Sequence, residues 1–173
     1  TDIMYDNVMN KFAWGGMEKK SIYLDDLFIR MGASNIRQRM GALAGALIEE
    51  GKKDKALNVL DKAVNITPSE NVPYDVTMYA ITLGYYQAGA TSKANEISKR
   101  MFANFENNLK YYYAVDRKRL FEFGNDPAQA QDILERLIYF AHAFKQMELA
   151  TDFESRYQKL LNAYRLNYKS QGG

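Results

Sequence analysis

An all-α chain built from repeated helical hairpins is what this sequence predicts, and three observations predict it. Met40–Ala63 and Met78–Met101 carry one pattern twice, 38 residues apart. Met40, Gly51, Lys55 and Ala56 recur identically as Met78, Gly89, Lys93 and Ala94, while Leu43, Leu47 and Val59 recur as Ile81, Tyr85 and Ile97. Apolar residues fall at helical spacing throughout, and no stretch sustains the alternation of a strand. A repeat of this length signals stacked supersecondary units, each burying its apolar face against the next. Such modules present surfaces to partners and seldom carry out chemistry.

The elements follow in order. The first ~30 residues lack a clear period: Tyr5, Phe12, Trp14, Tyr23, Leu24, Leu27 and Phe28 are scattered, and Gly15-Gly16 marks a turn. They read as an irregular cap, 1–33, whose aromatics cover the open end of the stack. A helical repeat domain, 34–168, follows, and 169–173 reads as a disordered tail. Its first helix, about 34–50, carries Met40, Leu43, Ala44, Leu47 and Ile48 and stops at Gly51, a residue suited to the left-handed position past a helix end. The second, about 53–66, sets Ala56, Leu57, Leu60, Ala63 and Val64 on one face and ends before Thr67-Pro68. The third and fourth, about 74–88 and 91–113, meet at Gly89. Asp126-Pro127-x-Gln129 then reads as a new start, with an acidic N-cap, proline at N1 and glutamine three residues after the cap. Ile133, Leu134, Leu137, Ile138, Ala141 and Phe144 follow, then a turn near Gln146 and a last helix carrying Leu149, Phe153, Tyr157, Leu160 and Tyr164. This third hairpin has no turn glycine; with Gln146 as the counterpart it lies 57 residues after Gly89.

Composition bounds the function. The 173 residues suffice for one domain with a real core, and 47% hydrophobic with 25% charged residues is globular rather than disordered. A net charge of +2 supplies no strong pull on nucleic acid or an anionic surface. The absence of cysteine excludes disulfides, a thiolate nucleophile and cysteine-ligated zinc, and suits cytoplasm and periplasm equally. The most apolar run, Met40–Ile48, has nine residues, against the ~20 a membrane span needs. Its Gly41-x-x-x-Gly45 spacing is better explained by close packing of repeat helices than by membrane dimerisation. No signal peptide is seen in the sequence and residue 1 is Thr, so the chain reads as part of a longer protein and its missing targeting signals say little.

The hairpin pattern resembles the tetratricopeptide repeat. Starting a unit at Arg37 sets Met40, Leu43, Ala44 and Leu47 on helix A, Gly51 on the turn, Ala56, Leu60 and Ala63 on helix B, and Pro68 on the closing proline. Starting the next at Asp75 places Met78, Ile81, Thr82, Tyr85, Gly89, Ala94 and Met101 likewise, with Ser98 and Glu106 departing from the pattern. The resemblance implies a right-handed solenoid defined by Gly51, Ala56, Pro68, Gly89 and Ala94. It also implies a concave groove lined by Gln38, Ile48, Glu49, Tyr79, Leu83, Tyr86 and Gln87. Gly45 and Leu83 stand where carboxylate-clamping members carry asparagine, which favours an apolar or aromatic peptide segment as ligand. Tyr79 and Tyr86 either line that groove or pack beneath the N-terminal cap.

A wider resemblance spans roughly residues 3–168. It rests on Met4-Tyr-Asp-Asn-Val-Met-Asn-Lys-Phe-Ala-Trp-Gly-Gly-Met-Glu18, Tyr23-Leu-Asp25, Ala46–Ala56, Val72-Pro-Tyr74, Tyr85–Ala90 and Tyr111-Tyr-Tyr113. In these the chain is similar to the C-terminal soluble part of bacterial multi-pass membrane proteins related to protein O-mannosyltransferases, of glycosyltransferase type C. The resemblance implies a domain on the periplasmic face of the inner membrane, attached to a membrane-embedded parent whose own membrane loops hold the catalytic acids. No catalytic residue is carried over to this chain.

The residues themselves point the same way. His142, the only histidine, has no second histidine or cysteine with which to share a metal. Asp25-Asp26 and Glu49-Glu50 are adjacent pairs, which diverge on a helix and read as caps or solvated faces. Arg30, Arg37 and Arg39 could meet phosphate or anionic lipid, and Arg117, Lys118 and Arg119 beside Tyr111–Tyr113 could meet single strands, but the near-neutral charge opposes nucleic acid. The expectation is a non-catalytic interaction or scaffolding domain with no cofactor and no metal, binding a protein or peptide. The alternative is a free-standing cytoplasmic adaptor of the same repeat type.

Overall fold

The computed structural model describes residues 1–19, 22–115 and 117–172, with side chains at 30, 117, 118 and 166–172 left undescribed. The chain is all-α, and no strand occurs among the described residues. It divides into two compact units, Thr1–Ile97 and Ser98–Gly173, whose boundary falls inside one long helix.

The first unit opens with α1 (Asp2–Asp6), which continues as a π-helical turn over Asn7–Lys11. Gly15 and Gly16 take φ of 65° and 75°, the turn expected there. The segment up to 33 is less irregular than its sequence suggests. The Asp25 side chain caps α2 (Asp26–Phe28) by accepting from the Phe28 N–H at 2.8 Å. A second π-helical turn, Ile29–Ala33, carries the backbone without a break into α3 (Ser34–Glu49). The extra residue of a π turn has no signature in an apolar period, so the helix began at Asp26 rather than at 34.

α4 (Lys53–Ile66) ends where expected, but α5 (Met78–Ala88) starts four residues later than the predicted 74. The reason is Arg37. Its guanidinium is fully buried and donates from Nε to Thr67 Oγ1 (2.9 Å), from Nη1 to Pro73 O (2.8 Å), and from Nη2 to Thr67 O (2.8 Å) and Val72 O (2.6 Å). Carbonyls turned inward to Arg37 are not available to a helix. Asp75 then accepts from the Thr77 N–H at 2.9 Å and from the Ser34 hydroxyl at 3.0 Å, setting up the start of α5. Burial lowers the Arg37 pKa to about 10, opposed by Asp75 and Tyr74, so the group remains a cation at neutral pH. The reading of Arg37 as part of an anion-binding cluster is therefore corrected: it is fully buried and serves the loop.

α3 packs on α4 and α5, and α4 on α5. Met40, Ala44, Leu47, Ala56, Val59, Leu60, Ala63, Met78, Ile81 and Tyr85 form the core between them. Gly41 permits the closest approach, since a Cβ there would stand 2.8 Å from the Ala80 Cβ; Gly45 faces open space. α6 (Thr91–Ala114) leaves the first unit through Ala94 and Ile97.

In the second unit a 3-10 segment (Arg117–Phe123) leads to α7 (Asp126–Ala143) and α8 (Met147–Gly172). Phe102 stacks on Phe153 with ring centroids 4.1 Å apart, and Arg156 bridges to Glu106 at 2.7 Å. α7 is preceded by Asn125, which makes no side-chain cap bond, so Asp126 is the first helical residue and not the predicted cap. α8 runs through Gly172, across most of the stretch expected to be a disordered tail; Gly173 lies outside the described residues.

The three turns are chemically one turn. After α3, Gly51 (φ 75°) donates to Ile48 O at 2.9 Å and Lys52 to Leu47 O at 2.8 Å. After α5, Gly89 (φ 90°) donates to Tyr86 O at 3.0 Å and Ala90 to Tyr85 O at 2.8 Å. After α7, Lys145 (φ 58°) donates to His142 O at 2.9 Å and Gln146 to Ala141 O at 2.7 Å. This is the paired closure that satisfies two orphan carbonyls at a helix end. Lys145, not Gln146, is thus the counterpart of Gly89, and the third turn lies 56 residues on. Five residues beyond each left-handed position sits a fully buried alanine: Ala56, Ala94 and Ala150.

Candidate functional site

The expected groove residues are only partly brought together. Gln38 and Glu49 on α3 and Gln87 on α5 are exposed, while Ile48, Tyr79 and Leu83 are half-buried. Tyr86 is buried, and its hydroxyl donates to Asn95 Oδ1 on α6 at 2.7 Å. It therefore joins α5 to α6 and does not line a groove. Of the repeat-defining residues, Gly51, Ala56, Gly89 and Ala94 occupy the turns and buried positions just described, and the Pro68 carbonyl accepts from Asn71 and Val72 in the loop after α4.

The N-terminal segment is anchored on α4, the end of α3 and the loop beyond. Thr1 donates to Glu50 at 2.6 Å, and Asp2 accepts from Lys52 (2.7 Å) and Lys55 (2.6 Å). Those bonds, Lys52 first and then Lys55, lower the Asp2 carboxyl to about 2. Asn58 donates to the Tyr5 hydroxyl at 3.0 Å, and Asn71 donates to the Met17 and Lys19 carbonyls. Lys55 also lies 5.3 Å from the Tyr5 ring centroid. The repeat-equivalent Lys93 makes the same kind of contact, bonded to both oxygens of Asp61 at 2.6 and 2.8 Å and 5.7 Å from the Tyr85 ring. At Lys55, Asp2 of α1 thus does what Asp61 of α4 does at Lys93.

What α1 does not do is fill the face of α3. A cavity of about 610 Å³ remains between them. Met4, Val8, Phe12 and Trp14 form one wall, and Asn35, Ile36, Arg39, Met40, Ala42 and Leu43 of α3 form the other. Phe12 and Trp14 meet edge to face at 5.8 Å. The Trp14 Nε1–H is buried and has no hydrogen-bond partner among the described residues. Asn35 spends its amide on the Met31 carbonyl at 2.6 Å, and exposed Arg39 forms no ion pair among the described residues. Volume, apolar walls and few polar groups are the attributes of a ligand site. Sequence reasoning anticipated aromatics over the end of the stack and missed that they cover it incompletely. Met4/Val8 and Ile36/Met40/Leu43, at helical spacings, mark the two facing apolar segments but not the gap between them.

The candidate chemical residues are engaged elsewhere. His142 Nε2 lies 2.7 Å from Glu154 Oε1 on the surface, Asp25 caps α2, and Glu50 is bonded to Lys52 and Thr1. Among the described residues no three acidic or histidine side chains gather as a metal site. No helix among them is long and apolar enough to cross a membrane. Arg30, Arg117 and Lys118, read as parts of basic clusters, fall outside the described side chains. Comparison of the chain with protein-family models, curated proteins and solved structures finds no match, so its function is argued from its own residues.

Proposed function

We propose that this chain is a non-catalytic binding module whose three hairpins are of tetratricopeptide type, the first of them covered at its start by α1. The observation that carries the reading is the shared turn, with paired closing bonds at Gly51, Gly89 and Lys145 and a buried alanine five residues after each. The matched settings of Lys55 and Lys93 support α1 as a substitute for a preceding helix B. Partner contact is assigned to Gln38, Ile48, Glu49, Tyr79, Leu83 and Gln87, with Tyr86 removed from the set.

By the sequence resemblance, the module belongs to a type C glycosyltransferase-like membrane protein and works at the periplasmic face of the inner membrane. There it positions a protein acceptor or a neighbouring envelope component near the parent's membrane active site. Two experiments test this. The parent reading frame should encode many apolar spans upstream of Thr1; a frame with none would favour the free-standing adaptor. A photo-crosslinker at Gln38 or Gln87 of the parent in native membranes should capture an envelope protein that one at Asn65 on α4 does not. Equal capture from both faces would remove the assigned surface.

A further inference from the structure

We infer that the cavity between α1 and α3 binds a single-chain aliphatic carboxylate, with its chain among Met4, Val8, Ile36, Met40 and Leu43 and its head at Arg39. The argument starts from the repeat. Ala42 of α3 corresponds to Ala80 of α5, and Ala80 is covered by α3 at Gly41. Ala42 is instead exposed and lines the cavity. The cavity thus occupies the space where a preceding helix A would pack.

A helix is too large for it. With a diameter of ~10 Å and a rise of ~5.4 Å per turn, a helix occupies on the order of 400 Å³ per turn. About 610 Å³ encloses little more than one turn, so a docked helix would lie mostly outside it. An extended peptide fits no better, because each residue brings an N–H and a C=O, and the walls offer few groups to pair with them. A slender chain with no internal polar atoms meets neither obstacle, and Met4 and Met40 can adapt to it.

The charge sets the head group. Arg39 is exposed, lines the cavity and forms no ion pair among the described residues, so its cation lies where cavity meets solvent. A cation at the mouth favours an acceptor-only head, and a carboxylate is the simplest one.

The chain's single tryptophan is Trp14, so its emission reports directly on the cavity. Decanoate and dodecanoate, each titrated below its micellar concentration, should shift that emission saturably with one site per chain. Affinity should rise roughly fourfold per added methylene. Arg39→Gln should weaken dodecanoate about threefold and leave dodecanol unchanged. Ala42→Phe, at an exposed position, should abolish binding of both while leaving the circular dichroism spectrum unaltered. The inference is overturned by an emission that does not saturate, by affinity independent of chain length, or by an Ala42→Phe variant that still binds. Equal loss of acid and alcohol in Arg39→Gln would overturn the carboxylate assignment. Tighter binding of an apolar peptide than of dodecanoate would reassign the cavity to a protein segment.

Discussion

Replacing Arg37 by methionine keeps an unbranched apolar stem and removes all five donors. Four bonds vanish, leaving the Thr67 and Val72 carbonyls buried and unpaired, the Pro73 carbonyl partly so, and the Thr67 hydroxyl short of one partner. Each buried orphan acceptor costs ~1–3 kcal/mol, and part of the sum is returned because a cation no longer has to be desolvated. The net loss should be ~3–5 kcal/mol, a large share of the ~5–15 kcal/mol that holds a domain together. Lysine cannot reach four acceptors with one ammonium, so Arg37→Lys should lose ~2 kcal/mol or more. Thr67→Val, which removes only the hydroxyl, should lose ~1 kcal/mol. Urea unfolding followed by circular dichroism measures the series, and for Arg37→Met the midpoint should fall by roughly 1–3 M. An Arg37→Met variant within ~0.5 kcal/mol of the parent, or no ordering of the three variants, would mean that the guanidinium does not hold the loop.

Three further outcomes are expected. Ala56→Leu should lose ~1–3 kcal/mol because the site is fully buried, whereas Lys53→Leu on the exposed side of α4 should change little; indistinguishable melts would deny that Ala56 lies at a helix contact. Gly51→Ala and Gly89→Ala should each lose about 1 kcal/mol through φ alone, since an added Cβ meets no atom within 4 Å, and Lys145→Gly should gain about 1 kcal/mol, all read from urea midpoints. Asp2 is depressed from 3.8 to about 2, so its pairing stabilises above the unfolded value and is lost as pH falls through the folded one. Trp14 emission should report loosening of α1 between about pH 4 and about pH 2, and Asp2→Asn should flatten that part of the titration.

Much of the fold was legible because local signals and packing agree in the hairpins. The apolar period of Met40, Ala44 and Leu47 and the stop at Gly51 mark α3 to within a residue at its C-terminal end. The same holds for α4, whose ends at Lys53 and Ile66 match the reading. What was not legible depends on partners distant in sequence or on backbone states with no preferred residue. Arg37 looks like a surface cation until Thr67, Val72 and Pro73 are brought to it from 30 or more positions away. Lys145 takes a left-handed φ that sequence reasoning reserves for glycine, and this shifted the third turn by one residue. Tyr79, Leu83 and Tyr86 share a spacing, yet only contact with Asn95 reveals that Tyr86 faces α6. The cavity is a failure of two matched apolar faces to meet fully, and no residue pattern encodes a gap.

The central claim is that one hairpin unit occurs three times, the third without its glycine. NMR spectroscopy of the labelled chain tests it at the turns, through backbone couplings and shifts at residues 51, 89 and 145 and amide exchange at Lys52, Ala90 and Gln146. The account predicts positive φ at all three positions and slow exchange at all three amides, each held by the carbonyl five residues back. A negative φ at Lys145 with a freely exchanging Gln146 amide would contradict it, leaving α7 and α8 a helix pair unrelated to the first two.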